Sequence, residues 1–407
     1  FDADAIDSRL DLVSWFIAET GCREAVRAQL RVQPDSERAL SRLSLGHGGP
    51  RDLAAIANSL QGASRIAAHI NNSVDEGVSS LAMPRKLPAC LETMLLPLPL
   101  RDEVAPAIGD ELPLLPRDGG FVRQGYNTVL DDLRRLRDES RRLIAALQIR
   151  YANETGIQSL KIKHNNVLGY HIDVRTAHAS KLMDNEIFIH RQTTAQAARF
   201  TTTELADMER DMASAADRAL ALELEIFALL RGAVLAVASQ LGDSARALAE
   251  IDVATASAQL ASSNRYCRPQ IRKGPVFKIT KGRHPVIELM LDSQTPFIAN
   301  DCDLDDGCLW LLTGPNMAGK STFLRQNAHI AIMAQAGFYV PAESAIIGLV
   351  DRLFSRVGAA DDIARGRSTF MVEMVETAAI LNRATNRSLV ILDEIGRGTA
   401  TYDGLAI

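Results

Sequence analysis

The sequence is short of aromatic residues, of cysteines in any useful spacing and of long apolar runs, and each shortage closes off a class of protein. Aromatics make up 5% of the chain, while alanine and leucine are plentiful, which leans the composition towards helix. The five cysteines, Cys22, Cys90, Cys267, Cys302 and Cys308, are odd in number and contain no CxxC pair. That excludes a zinc ribbon or disulfide framework and fits a reducing cytoplasm. No run of about 18 uninterrupted apolar residues exists, so no membrane-spanning helix is expected, and no signal peptide is visible. The formal net charge of −5 excludes a globally basic nucleic-acid binder but leaves room for a local basic patch. Proline is absent between Pro116 and Pro269, which removes the commonest helix breaker from that stretch.

What is present is ordinary for a globular protein: 47% apolar and 23% charged residues. A chain of 407 residues accommodates two or three domains of about 100–200 residues each. It opens on Phe1 without an initiator Met and stops at Ile407 inside an apolar run. It therefore reads as a piece of a larger protein.

Residues 1 to 117 read as broken helix. The stretch Ile6–Val13 starts an amphipathic helix and Arg51–Ile70 supplies another, with prolines from Pro84 to Pro116 punctuating the end. In the proline-free region, Val129, Leu130, Leu133, Leu136, Leu143, Ile144 and Leu147 form one apolar stripe. A second runs through Leu205, Met208, Met212, Ala216, Leu220, Ile226, Phe227, Leu230, Val234 and Leu241. Both exceed the usual helix length, and two such helices pair as an antiparallel lever.

Between the stripes the period changes to two. Ile162, Val167, Tyr170 and Ile172 suit strands, Asn165, Asn166 and Gly169 suit a turn, and Glu186–His190 offers another short strand. From Lys161 to Arg199 this insert holds six Lys/Arg (Lys161, Lys163, Arg175, Lys181, Arg191, Arg199) against three acids (Asp173, Asp184, Glu186). A few phosphate contacts and an ordinary solvated sheet fit that bias equally well. From about Tyr266 the pattern becomes α/β: a strand at Leu309–Thr313, a helix at Ser321–Ala336 and a strand at Ser388–Leu392. Strands alternating with helices imply a parallel sheet covered on both faces.

The chemistry sits in this last part. Gly314-Pro-Asn-Met-Ala-Gly-Lys-Ser321 satisfies G-x-x-x-x-G-K-S, between an expected strand and an expected helix. Its glycines let backbone N–H groups turn towards phosphates, and the helix N-terminus favours their charge. Lys320 reaches the β- and γ-phosphates of ATP, and the Ser321 hydroxyl is placed for Mg²⁺. The second apolar strand ends in Asp393 and Glu394. Asp393 suits Mg²⁺ through its water shell, and Glu394 suits the water that attacks the γ-phosphorus. A Glu directly after this Asp resembles the ABC-type ATPases, whose sites are completed by a partner subunit. Gly366–Met374 precedes the second strand, with Ser368 either offered to the partner or simply capping a helix.

Taken together, Thr313–Thr322, Ser368-Thr-Phe-Met-Val-Glu-Met374 and Leu392–Gly404 resemble the three ATPase motifs of the MutS family. Gly282–Val286 and Pro296–Asn300 resemble that family's lead-in to the P-loop. Asn166–Tyr170 and Gln192 through Leu205 resemble its clamp, and Pro50–Leu53, Asp118–Gly120 and Gly125-Tyr126 its core. The likeness covers nearly the whole chain.

The resemblance implies a mainly α-helical core with long lever helices and a small inserted β clamp, followed by an α/β P-loop (ABC-type) ATPase domain. The boundaries expected are 1–155 for core and outgoing lever, 156–204 for the clamp, 205–265 for the returning lever and 266–407 for a truncated ATPase. It implies nucleotide contacts from Gly314, Pro315, Asn316, Met317, Ala318, Gly319, Lys320, Ser321 and Thr322, with Phe297 stacked on the adenine. Ser321 and Asp393 would hold Mg²⁺, Glu394 would be catalytic, and Ser368 would reach the partner's nucleotide. Lys161, Lys163 and Arg199 would touch the DNA backbone, on position and charge alone. Ala318 and Lys163 stand where many relatives carry Gly. The implied whole is a cytoplasmic, nucleoid-associated bacterial homodimer that grips mismatched duplex DNA as a sliding clamp, uses ATP to change its grip and hands on to downstream repair factors. Its mismatch-reading domain and dimerising end are expected to lie outside this sequence.

Three rivals remain at this level. A transporter-type ATPase with a membrane partner would want a Gly-rich signature, whereas Gly366-Arg-Ser-Thr has one Gly. A scaffold that binds DNA but hydrolyses nothing fits the isolated piece. The MutS subfamily without repair function lacks the clamp insert that residues 160–205 resemble.

Overall fold

The computed structural model describes residues 2–75, 81–165, 168–194, 196–291, 296–304, 308–315, 318–357, 369–393 and 402. In chain order, helices α1 (Ala3–Ala18), α2 (Thr20–Arg31), α3 (Ser36–Ser44), α4 (Pro50–Asp75), α5 (Lys86–Leu95), α6 (Leu98–Val104) and α7 (Thr128–Thr155) come first. Strands β1 (Lys161–Asn165) and β2 (Gly169–Arg175), helix α8 (Ala179–Met183), and strands β3 (Ile189–Thr193) and β4 (Ala197–Thr201) follow. Helices α9 (Thr203–Ala236) and α10 (Ala238–Asn264) lead to β5 (Gln270–Arg272), β6 (Phe277–Gly282), α11 (Ile287–Met290) and β7 (Asn300–Leu304). The chain ends its described course with α12 (Lys320–Ala336), β8 (Ser344–Gly348), β9 (Leu353–Val357), α13 (Thr369–Arg383) and β10 (Leu389–Asp393). It divides into two compact units, residues 34–61 with 97–242, and residues 1–33, 62–96 and 243–407.

In the first of these units, α7 spans 28 residues and α9 spans 34, about 42 and 51 Å of helix. Asn127 caps α7 by accepting from Leu130 N at 3.0 Å, and Gly156 at φ 66° ends it. Thr202 caps α9 through Leu205 N at 3.0 Å. The two helices run antiparallel, since Arg134 pairs with Glu223 while Arg150, further along, pairs with the earlier Glu204. Glu223 is buried; it takes Arg134 at 2.6 Å and Gly120 N at 2.5 Å, pinning the Gly119-Gly120 loop to both helices. The returning stripe is two helices rather than one. At Val237 the N–H bonds back to Val234 at 3.3 Å, and this tighter turn breaks the ladder before Leu241.

The insert is a four-stranded antiparallel sheet of order β1-β2-β4-β3. Ile172, Val174, Ala198 and Phe200 close its apolar face against Ile144, Leu147 and Tyr151 of α7 and Leu205 of α9. β3 begins three residues later than the Glu186–His190 pattern suggests. Asn185 turns the chain there, and Phe188 enters the core from that turn, edge-on to Tyr151 at 5.2 Å. β4 was not foreseen as a strand. Gly169 sits at φ 67°, where a Cβ would collide with the Glu209 carboxylate that caps Tyr170 N at 3.0 Å.

The second unit buries Trp15, Phe16, Ile66, Ile70, Met94 and Ile251 between α1, α2, α4, α5 and α10. Its larger sheet, β5-β8-β6-β7, is mixed: β5 and β8 are parallel, and β6 is antiparallel to β7 and β8. β9 and β10 form a separate parallel pair. The parallel pairing expected from the alternation is found at β9–β10 and β5–β8, while β6 runs antiparallel within the larger sheet. Leu309–Thr313 is not a strand. Leu309 and Leu311 are 90% and 85% exposed, and among the described residues no ladder reaches them. Trp310 instead stacks flat on Phe323 of α12, ring centroids 6.4 Å apart. A strand exists only through its neighbour, and here a side chain anchors the segment.

Candidate functional site

Two places carry the residues that the sequence singles out. The first is the loop before α12. Gly319, its N-cap, lies at φ 90° and ψ 10°, a left-handed conformation that costs a residue with a Cβ about 1–2 kcal/mol. Lys320 opens the helix, and its Nζ donates to the Gly314 carbonyl at 2.6 Å and the Pro315 carbonyl at 3.0 Å. Ala318 N donates to Pro315 O at 3.3 Å, and Phe323 N to Gly319 O at 2.9 Å. Ser321 and Thr322 are half-buried in the first turn. A helix N-terminus with a lysine in its first turn favours negative charge; here the ammonium is taken up by two carbonyl oxygens.

Asp393 ends β10, half-buried, opposite Val357 of β9. α12 packs against β10, so the helix that starts at Lys320 and the strand that ends at Asp393 lie in adjacent layers. Phe297 is half-buried in the irregular segment 296–299 before β7. Asn316, Met317, Ser368 and Glu394 lie outside the described residues. A cavity of about 410 Å³ is lined by Trp310, Phe323, Leu324, Asn327, Leu389 and Ile391 among others. None of the described nucleotide candidates lines it.

Sequence reasoning missed a buried polar group on α12 itself. Gln326 is fully buried, and neither of its amide atoms, nor Asn327 Oδ1, nor His329 Nδ1, has a hydrogen-bond partner among the described residues. His284 meets His329 edge-on at 5.0 Å. Its Nδ1 accepts from Val286 N and Ile287 N, both at 3.3 Å. Burial, then His329 and Arg325, hold the His284 imidazole below its ordinary value. No signal in the sequence pairs these two histidines.

The second place is the polar face of the inserted sheet. Register sets Lys161 opposite Asp173, Asp173 opposite Arg199, and Arg199 opposite Gln192, one row across four strands. Lys163 reaches Asp173 Oδ1 at 3.1 Å, and Arg199 Nη1 donates to Gln192 Oε1 at 2.9 Å. The three candidate cations thus share a face. Only cross-strand register brings Asp173 and Gln192 to these cations.

With that geometry in place, the class of the chain follows from two family models. Residues 125–218, from just before α7 through the sheet into α9, match the MutS family domain IV. Residues 310–407 match MutS domain V. The chain belongs to the MutS family. It is 55% identical, over 417 aligned positions, to the DNA mismatch repair protein MutS of Azorhizobium caulinodans, across 100% of its own length and 44% of that relative's. No described helix is long and apolar enough to cross a membrane.

Proposed function

We propose that this chain is the lever, clamp and nucleotide-binding part of a DNA mismatch-repair protein that grips mismatched duplex DNA as a dimeric sliding clamp, with ATP hydrolysis controlling the grip. The observation that carries the reading is Lys320, at the head of α12 with its ammonium drawn onto two loop oxygens. In this reading phosphate oxygens replace the two carbonyls, and the backbone N–H groups from Ala318 to Thr322 turn towards the same charge. ATP supplies the phosphoryl group and Mg²⁺ the positive charge that offsets it. The residues fit that pair: Ser321 and Asp393 offer the hard oxygens Mg²⁺ prefers, on a helix and a strand that pack together. Lys320 holds the β- and γ-phosphates, Phe297 stacks on adenine, and Glu394 orients the attacking water. Ser368 reaches the partner's γ-phosphate, so hydrolysis waits for the dimer.

The divisions 1–155, 156–204, 205–265 and 266–407 then serve as outgoing lever, DNA grip, returning lever and ATPase. Lys161, Lys163 and Arg199 meet the DNA backbone, which fixes grip without reading sequence. The work is placed in the cytoplasm, on the nucleoid, with downstream repair factors as partners and no membrane.

Lys320→Ala tests it. A fluorescent ATP analogue should bind about a hundredfold more weakly, the loss of two charge-assisted hydrogen bonds, with the melting temperature unchanged. Unaltered nucleotide affinity would overturn the assignment.

A further inference from the structure

The three cations of the sheet's polar face do not stand alone; one carboxylate sits in their midst. Asp173 lies directly across the ladder from Lys161 on one side and from Arg199 on the other. Its Oδ1 takes Lys163 Nζ at 3.1 Å, and its Oδ2 stands 3.9 Å from Arg199 Nε. That Arg199 nitrogen is buried and makes no hydrogen bond among the described residues. The grip on Arg199 is loose, and the Lys163 side chain remains 53% exposed. With the Lys163 arm exposed and the Arg199 arm 3.9 Å away, the pairing holds little stability, so the arrangement is poorly explained as a fold-stabilising bridge.

We infer that Asp173 is an internal stand-in for a backbone phosphate, which occupies the DNA-facing cations and sets the strength of the grip. A carboxylate and a phosphate offer the same kind of charged oxygen to Lys and Arg. While Asp173 holds Lys163, that cation is not free for a phosphate, and its charge repels one arriving beside Arg199. Seating of a duplex transfers Lys163 and Arg199 from Asp173 to the backbone. The effect is uniform over sequence and mismatch, because nothing in the row reads a base edge. The inference rests on the reading of this face as the DNA grip.

The test is fluorescence anisotropy of matched and singly mismatched duplexes at about 50 and 200 mM salt, using the whole protein. Asp173→Asn keeps the shape and removes the charge. It should bind both duplexes about threefold or more tightly at the lower salt, and the log–log salt slope should steepen by about 0.9, one further phosphate's worth. The gain should vanish when Lys163→Ala and Arg199→Ala are added. Asp173→Gln repeats the measurement should the Asn variant melt early. A folded Asp173→Asn protein with unchanged or weaker binding overturns the inference while leaving the grip in place. If Lys163→Ala with Arg199→Ala alone leaves binding untouched, the face does not touch DNA, and both readings fall.

Discussion

The inserted sheet and the β9–β10 pair are finished to different degrees. The insert has four strands, an apolar face closed by Ile172, Val174, Ala198 and Phe200, and a polar face with Lys163 and Arg199 drawn towards Asp173. The β9–β10 pair has two strands; Val390 and Leu392 of β10 are 37% and 39% exposed, and Leu309 and Leu311 lie almost bare. A cavity of about 410 Å³ stands against Leu389 and Ile391. One is a fixed platform, set by packing on its apolar face. The other keeps apolar surface in reserve among the described residues, and regions with few packed contacts rearrange at the least cost. In the proposed reading, a grip calls for the first property and a nucleotide response for the second.

The comparison breaks or sharpens first at Phe200. This ring is fully buried, with His190 edge-on at 5.5 Å. Phe200→Ala should cost about 3–5 kcal/mol in urea unfolding followed by a probe on the insert. Ile391→Ala deletes a side chain of similar burial, 5% exposed, but one that already faces the cavity. Fewer packed neighbours are lost, and the cost should fall near the lower end for such truncations, about 2 kcal/mol. Equal costs would erase the distinction between platform and reserve.

The sequence disclosed whatever is written in short-range period. The stripe at Val129–Leu147 marks α7, and the Leu160–Val174 alternation marks β1 and β2, with Asn166 and Val167 between them outside the described residues. Helix α12 and strand β10 fall within one residue of their expected starts. What it hid depends on neighbours far along the chain. β4 has too little apolar alternation to announce itself, and the bulge between His190 and Gln192 is a property of the pair. Leu309–Thr313 has the composition of a strand and no described partner. The candidate residues divide the same way. Lys320 and Asp393 stand at the helix start and strand end where local pattern puts them, because a glycine loop and a strand end are local devices. Asp173 beside Lys163, or His284 beside His329, comes only from register and packing.

The smallest effect belongs to His284, and its sign is fixed by geometry. Nδ1 accepts two backbone N–H groups, so the ring must keep a lone pair there. Around it stand His329 and Arg325 on α12, with Arg283 and Glu288 adjacent and bonded to each other. Burial, His329 and Arg325 lower its proton affinity from the ordinary value of 6.5. The unfolded chain therefore binds a proton that the folded one refuses. This contribution is fully present above pH 6.5 and is lost as the pH falls below it. Asn in its place offers an acceptor but does not titrate. His284→Asn should thus melt with a shallower decline between about pH 7.5 and 5 than the parent protein. The difference should vanish at the alkaline end. Parallel melting curves across that window would mean that His284 takes up its proton in the folded chain as readily as in the unfolded one.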